Sequence, residues 1–207
     1  MDKTIYFLRH GQTELNRLKI VQGSGVDSDL NDFGRSEAQA FFNFYQDHDF
    51  DLIITSALKR TFQTVRPFFD KNIPHESWAE INEINWGIHE GKESKAWMIE
   101  AYKEMVGQWA LGNFDASLVE GESARQLADR INVFLESIKK RTEKSILVCT
   151  HGRTLRCLMC LVKGQHLREM ESYTHSNTGL FKVHWKAQNF IVELENDTRH
   201  LNETENE

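Results

Sequence analysis

The sequence of 207 residues has three cysteines, two prolines, no low-complexity linker, no internal repeat and no apolar run approaching the ~20 residues of a membrane span. Each shortage excludes something. The opening "MDKTIYFLRHG" carries an acid at Asp2 and an apolar run too short for a signal-peptide core, so the cytosol is the expected location. Cys149, Cys157 and Cys160 cannot pair evenly, and each stands in an apolar segment, which fits a reducing compartment. Cys157 and Cys160 form a C-x-x-C, but no second pair completes a metal site, and "LRCLMCLV" reads as the interior of a helix. Twenty-five basic against 31 acidic residues give a net charge of -6 without any Lys/Arg-rich run, which argues against nucleic acid as a partner.

What is present is a substantial core. A hydrophobic content of 40% suits one domain, expected over residues 1–201, with 202–207 as a frayed tail. "KTIYFLRH", "DLIITS" and "SILVCTH" are short apolar runs leading into polar or glycine-containing turns, and they read as buried strands. Between and after them, helical period places on one face Ala38, Phe41, Phe42 and Tyr45, and likewise Leu58, Phe62, Val65 and Phe69. Two further sets are Leu127, Ile131, Phe134, Leu135 and Ile138, then Leu155, Leu158, Met159 and Val162. Ser123–Gln126 is a capping box, Gly164 follows the last periodic residue of its helix, and Pro67 predicts a kink or an early end. "TGLFKVHWK" and "NFIVELEN" flank "AQ" as an antiparallel hairpin. Alternation of strand and helix implies an α/β fold with a mostly parallel sheet covered on both faces. Residues 92–120, rich in Trp and Met, read as a helical insertion or lid.

Ligands of open α/β sheets bind at the carboxyl ends of the strands. Three predicted strands end on "RHG", "TSALKRT" and "THG", which would gather Arg9, His10, Arg60 and His151 at one edge. So much potential positive charge calls for an anion, and phosphate is the natural one. Arginine offers a planar fork to phosphate oxygens, and a neutral imidazole can attack phosphorus. Gly11 and Gly152 allow close backbone approach, and helix amides following "RHG" and "THG" would point at the same anion. Expelling an alkoxide also needs a proton donor, for which "INEINWGIHEG" supplies Glu83 and Glu90. Composition does not choose between the two.

These stretches together, "FLRHGQTELN", "SALKRTFQT", "INEINWGIHEG", "EGES" and "CTHG", resemble the histidine phosphatase superfamily, also called the phosphoglycerate mutase-like family, over about residues 3–200. The resemblance implies a three-layer α/β/α sandwich and a two-step mechanism without metal or other cofactor. It implies His10 as the nucleophile that becomes phosphohistidine. Arg9, Arg60 and His151 complete the phosphate pocket, and Glu83, rather than Glu90, is the acid and base. Asn16 and Gln22 match positions at the pocket mouth, Gly152 offers a backbone amide, and Ser56 and Thr64 hold the loop and helix in place. Ala57 stands where the family often has proline, and Glu120 where proline or glycine often precedes "GES", which bears on loop rigidity alone.

Other features carry blander readings. "HEGKE" lacks the second histidine of H-E-x-x-H. His175 lies near enough in sequence to the hairpin to reach the pocket, but Asn177 and Gly179 read more simply as a turn, and "GSG" at 23–25 as a flexible loop. Trp97, Met98, Tyr102, Met105 and Trp109 either form an apolar lid or simply pack on the domain. Glycolytic mutases of the family carry E-R-H-Y-G where this chain has Glu83-Ile84-Asn85-Trp86-Gly87, which favours a phosphatase of the branch resembling α-ribazole phosphatase and broad-specificity phosphatases over a mutase or a noncatalytic phosphate-binding protein. The expected partner is a small phosphorylated metabolite, with no nucleic acid and no membrane, and with a homodimer left open.

Overall fold

β1 (Lys3–Arg9) divides its side chains between two cores, with Ile5 and Phe7 on one face of the sheet and Tyr6 and Leu8 on the other. A strand apolar on both faces belongs inside a sheet. In the computed structural model, which describes residues 1–202, β1 pairs in parallel with β4 (Ser145–Thr150) and antiparallel with β5 (Leu180–Lys186). β2 (Leu52–Thr55) flanks β4, and β3 (His75–Ser77) and β6 (Asn189–Asp197) form the edges, giving the order β3-β2-β4-β1-β5-β6. The sheet is therefore mixed: parallel from β3 to β1, antiparallel through the final hairpin. Ala187 and Gln188 close that hairpin with φ of 49° and 63°, the mirror-image turn that suits the twist of the strands.

Helices cover both faces. The apolar stripes of α5 (Ala124–Lys140) and α6 (Gly152–Val162) are buried against Ile5, Phe7, Ile54 and Val148, while Phe41 of α2 (Asp32–Tyr45) and Val65 of α3 (Lys59–Val65) pack on Tyr6, Leu8, Ile53 and Leu147. This is the three-layer α/β/α sandwich that the resemblance implied. Ser123 and Gln126 form the reciprocal cap of α5, and Gly164, at φ 62°, follows the end of α6. α3 stops at Val65, and Pro67 stands in the 3₁₀ turn after it. Phe62 departs from the expectation, lying 41% exposed on the outer side of α3. All three cysteines are buried and free, and burial raises the thiol of Cys160 to about 12.

Within 92–120 a single helix forms, α4 (Ala96–Ala110). Met105 and Trp109 join the core, Met98 and Tyr102 line the cavity described below, and Trp97 is exposed. The short α1 (Glu14–Arg17) and α7 (Arg199–Asn202) complete the fold, and the remainder of the expected tail lies outside the described residues. No helix among the described residues is long and apolar enough to cross a membrane.

Candidate active site

Register alone brings the site together. Arg9 lies opposite Thr150 and Thr55 opposite Cys149, so His10, Ser56 and His151 emerge side by side where three parallel strands end. The rings of His10 and His151 stand 5.1 Å apart, centroid to centroid.

His10 Nδ1 lies 2.7 Å from the carbonyl oxygen of Gly11. A carbonyl only accepts, so Nδ1 carries the hydrogen and the lone pair resides on Nε2. Burial, with the charges of Arg60 and Arg9 nearby, depresses the pKa of His10 well below 6.5 and keeps the ring neutral. The segment around it is fixed from several directions. Gly11 N donates to Thr64 Oγ1 (2.9 Å), Gln12 N to Glu37 (2.7 Å), Arg9 N to Gly179 O (3.2 Å) and Asn177 Nδ2 to His10 O (3.0 Å).

Beneath His10, Arg60 and His151 are both fully buried. Arg60 Nε donates to His151 Nδ1 (3.2 Å), so His151 Nε2 bears the hydrogen and donates to Ser56 Oγ (2.8 Å). The other guanidinium nitrogens of Arg60 donate to Val26 O (2.7 Å) and Gly23 O (3.3 Å). The pair thus forms the floor, one layer behind the cavity surface, with Ser56 and Thr64 in the supporting roles expected of them. Burial lowers the pKa of Arg9, on the wall, to about 10, and its Nε is buried without a partner.

Of the two candidate carboxylates, Glu83 and not Glu90 lies beside Arg9 and His10, and its seat was not legible in the sequence. It accepts from the amides of Ile84 (3.0 Å), Arg153 (3.1 Å) and Thr154 (3.1 Å), and from Thr154 Oγ1 (3.1 Å). Two of the α6 amides expected to face phosphate therefore hold this carboxylate instead. No helix follows "RHG" directly either, because α1 begins at Glu14 and Thr13 Oγ1 caps it. Arg130 fixes the Glu83 loop by donating to the carbonyls of Glu80 (2.7 Å), Asn82 (2.8 Å) and Glu83 (3.2 Å), and it pairs with Glu122 of "EGES" at 2.7 Å. Glu90 instead accepts from Trp86 N (2.7 Å) and packs into the "GSG" segment, whose glycines leave room for it. That segment is a fitted seat rather than a flexible loop.

These groups border a cavity of about 480 Å³ lined by Arg9, His10, Glu83, Asn16, Gln22 and Gly152, with Trp86, Met98, Ile99 and Tyr102 as an apolar wall. Asn16 Oδ1 accepts from Thr13 N (3.1 Å), and Gln22 Nε2 donates to Thr13 Oγ1 (2.6 Å), so both mouth residues are held by one threonine. His175 also lines the cavity, while Asn177 and Thr178 form the turn expected after it, closed by Gly179 N donating to Ser176 O (3.1 Å). A methyl group on Gly152 would lie 2.6 Å from His175 Cε1, and one on Gly11 would lie 2.5 Å from Gly34 O. Those glycines therefore make room for protein rather than for ligand. Among the described residues, no cluster of His, Cys, Asp and Glu could hold a metal ion.

A family model described as histidine phosphatase superfamily (branch 1) matches residues 5–198. The chain belongs to that superfamily. Among similar histidine phosphatases, phosphoserine phosphatase 1 of Hydrogenobacter thermophilus is 27% identical over 201 residues, covering 96% of this chain and 94% of the relative. A Shigella boydii protein described as a probable phosphoglycerate mutase is 28% identical over 206 residues, 95% of this chain and 94% of its own. The solved α-ribazole phosphatase of Shigella flexneri superposes with a TM-score of 0.83 at 22% identity, covering 94% of this chain and 96% of that one, and shares the fold.

Proposed function

We propose that this histidine phosphatase hydrolyses phosphate monoesters of small metabolites through a phosphohistidine on His10. The observation that carries the reading is the tautomer of a buried, neutral His10, whose Nδ1–H is engaged and whose Nε2 lone pair is left for the cavity. Arg9, with Arg60 beneath, offsets the charge of the phosphoryl group and supplies the electrostatic stabilisation without a metal, while the neutral His151 holds Arg60 in place. Nε2 attacks phosphorus as the ester P–O bond breaks, and Glu83, in its protonated form, gives its proton to the departing alkoxide. Glu83 then takes a proton from water, whose oxygen attacks the same phosphorus and releases inorganic phosphate and His10.

The test uses p-nitrophenyl phosphate with and without chelator, beside His10→Ala. Activity should survive chelation and fall more than about 1,000-fold in the variant. Chelator-sensitive turnover, or an active His10→Ala, refutes the phosphohistidine. Glu83→Gln should slow alkyl phosphates by about 10²–10⁴-fold and the activated aryl ester far less, and equal losses on both remove it as the acid. A mutase would isomerise 3-phosphoglycerate primed with the bisphosphate while releasing little phosphate.

A further inference from the structure

Arg60 carries its positive charge in a fully buried place, and among the described residues its hydrogen bonds all go to neutral acceptors: His151 Nδ1, Val26 O and Gly23 O. A buried guanidinium is ordinarily matched by a carboxylate. Burial lowers the pKa of Arg60, and the carboxylates of Glu83, Asp27 and Glu90 oppose that shift without bonding to it. Two of the three have other tasks. Glu83 serves the leaving group, and Asp27 accepts from Lys59 N (2.7 Å) at the start of α3. Glu90, half-buried, takes no part in the reaction written above.

Its seat supplies a role. The two carbonyls that hold the Arg60 guanidinium flank Gly25, and Glu90 grips the loop at that residue. The carboxylate accepts from Gly25 N on one side and from Trp86 N (2.7 Å) on the other. A methyl added to Gly25 would lie 2.7 Å from Glu90 Oε2 and meet no other residue within 4 Å, and Gly25 is not among the residues of positive φ. Ser24 N donates to Ile84 O (3.3 Å) and Gly91 N to Val21 O (2.9 Å), which sews the same loop to the segment bearing Trp86 and Glu90. Glu90 thus ties the loop that holds the floor of the site to the segment that forms its apolar wall.

We infer that Glu90 is a positioning residue for the reaction: by fixing the loop at Gly25 it sets the carbonyls of Gly23 and Val26, and through them the guanidinium of Arg60 beneath the phosphoryl group. The indirect arrangement has a chemical reason. A carboxylate bonded to Arg60 would cancel the charge that phosphate requires, whereas two carbonyls hold the guanidinium and leave that charge for the substrate. Glu90, one step removed, still offsets part of the cost of burying it. Two amide N–H groups converge on this carboxylate, so glutamine cannot replace it without turning an NH2 group toward one of them.

The role rests on the phosphatase reading, so binding and turnover are measured apart: inorganic phosphate is titrated calorimetrically, and p-nitrophenyl phosphate turnover is followed beside it, both well below each variant's Tm. Glu90→Gln should weaken phosphate binding by about 10-fold and lower kcat/KM by at least as much. Gly25→Ala, whose methyl meets Glu90 alone, should reproduce the loss. Added to Glu90→Ala, the same methyl should cost less than about 2-fold more, because the two changes act on one contact. Arg60→Lys, whose single ammonium lacks the fork that spans both carbonyls, should leave Glu90→Gln nearly without effect on phosphate affinity. A purely architectural role predicts a lower Tm with phosphate affinity unchanged, and that result overturns the inference, as do additive losses in either pair. If Glu90→Gln fails to fold, Gly25→Ala carries the same prediction. A wild type that binds phosphate but hydrolyses no ester overturns the phosphatase reading alone, since the hold of Glu90 on Arg60 is read in binding, and one that binds no phosphate overturns both.

Discussion

Replacing Gly34 by alanine should damage the protein from a position that contributes no side chain to the site. Gly34 lies in the first turn of α2, and its amide donates to Asn31 Oδ1 at 2.8 Å. Helix propensity alone favours alanine there by as much as ~1 kcal/mol. Packing says the opposite. The added methyl would lie 2.6 Å from Gln12 N and 2.8 Å from Gln12 C, and closer still to Gln12 O, all of them backbone atoms. Gln12 has little freedom to retreat, because its N donates to Glu37 (2.7 Å), its O accepts from Asn31 N (3.0 Å) and its side chain accepts from Asn31 Nδ2 (2.9 Å). Overpacking of this kind costs ~1–3 kcal/mol, and rigid partners put it near the top of that range. After the propensity gain, the net loss is about 2 kcal/mol, or roughly 4–8 °C in Tm for a chain of this size. A shift of about 1 Å in the strand end that carries His10 would cost about 100-fold in kcat/KM as well. Urea denaturation followed by tryptophan fluorescence, with turnover of an aryl phosphate, measures both effects. Gly107→Ala supplies the control, since nothing lies within 4 Å of its added methyl and the same exchange inside α4 should stabilise by up to ~1 kcal/mol. A Gly34→Ala protein as stable as the parent would refute the reasoning.

Two other predictions concern stability. His10, His151, His175 and His200 all have folded pKa values below the ordinary 6.5, with His175 at about 3 and His200 at about 4, each chiefly through burial. Below pH 6.5 the unfolded chain therefore binds protons that the folded chain does not, and stability falls as pH falls, by up to ~1.4 kcal/mol per pH unit for each group. The denaturation midpoint should drop between pH 7 and 5, and a flat profile would mean that these rings ionise in place. Glu120 adopts φ 60° before Gly121, a conformation that costs a side chain ~1–2 kcal/mol. Glu120→Gly should raise stability by about 0.5–1 kcal/mol after the added chain entropy, measurable as a shift in Tm, and a destabilised variant would show that the side chain is needed there.

Much of this architecture was readable beforehand. β1, β2 and β4 are short apolar runs ending in polar turns, and their parallel order is enough to bring Arg9, His10 and His151 to one edge. Ser123 and Gly164 marked helix ends through the same local chemistry that forms them. What escaped the sequence depends on contacts between distant segments. The helical period of Leu58, Phe62, Val65 and Phe69 defines a stripe, but nothing in it reveals that the sheet leaves Phe62 uncovered. "GSG" looks mobile until Glu90 is seen to fill the space its missing side chains leave. Gly11 and Gly152 suggest clearance for a ligand, whereas Gly34 and His175 occupy those spaces. His175 is reached through a hairpin whose return to β1 no local signal specifies, although a histidine just ahead of a strand beside "RHG" was a usable hint.

The strand order also sets a timetable for synthesis. β1 is made well before its two neighbours in the sheet, β4 and β5. At ~5–20 residues per second, the segment bearing His10 waits roughly 8 to 34 s for Asn177 and Gly179, which secure His10 and Arg9, to be made. Until β4 emerges, an apolar ribbon with two unsatisfied edges is exposed, which invites chaperone capture or mispairing. Any catalytic turnover then reports a fully assembled chain, because no nascent fragment lacking the hairpin contains a finished site.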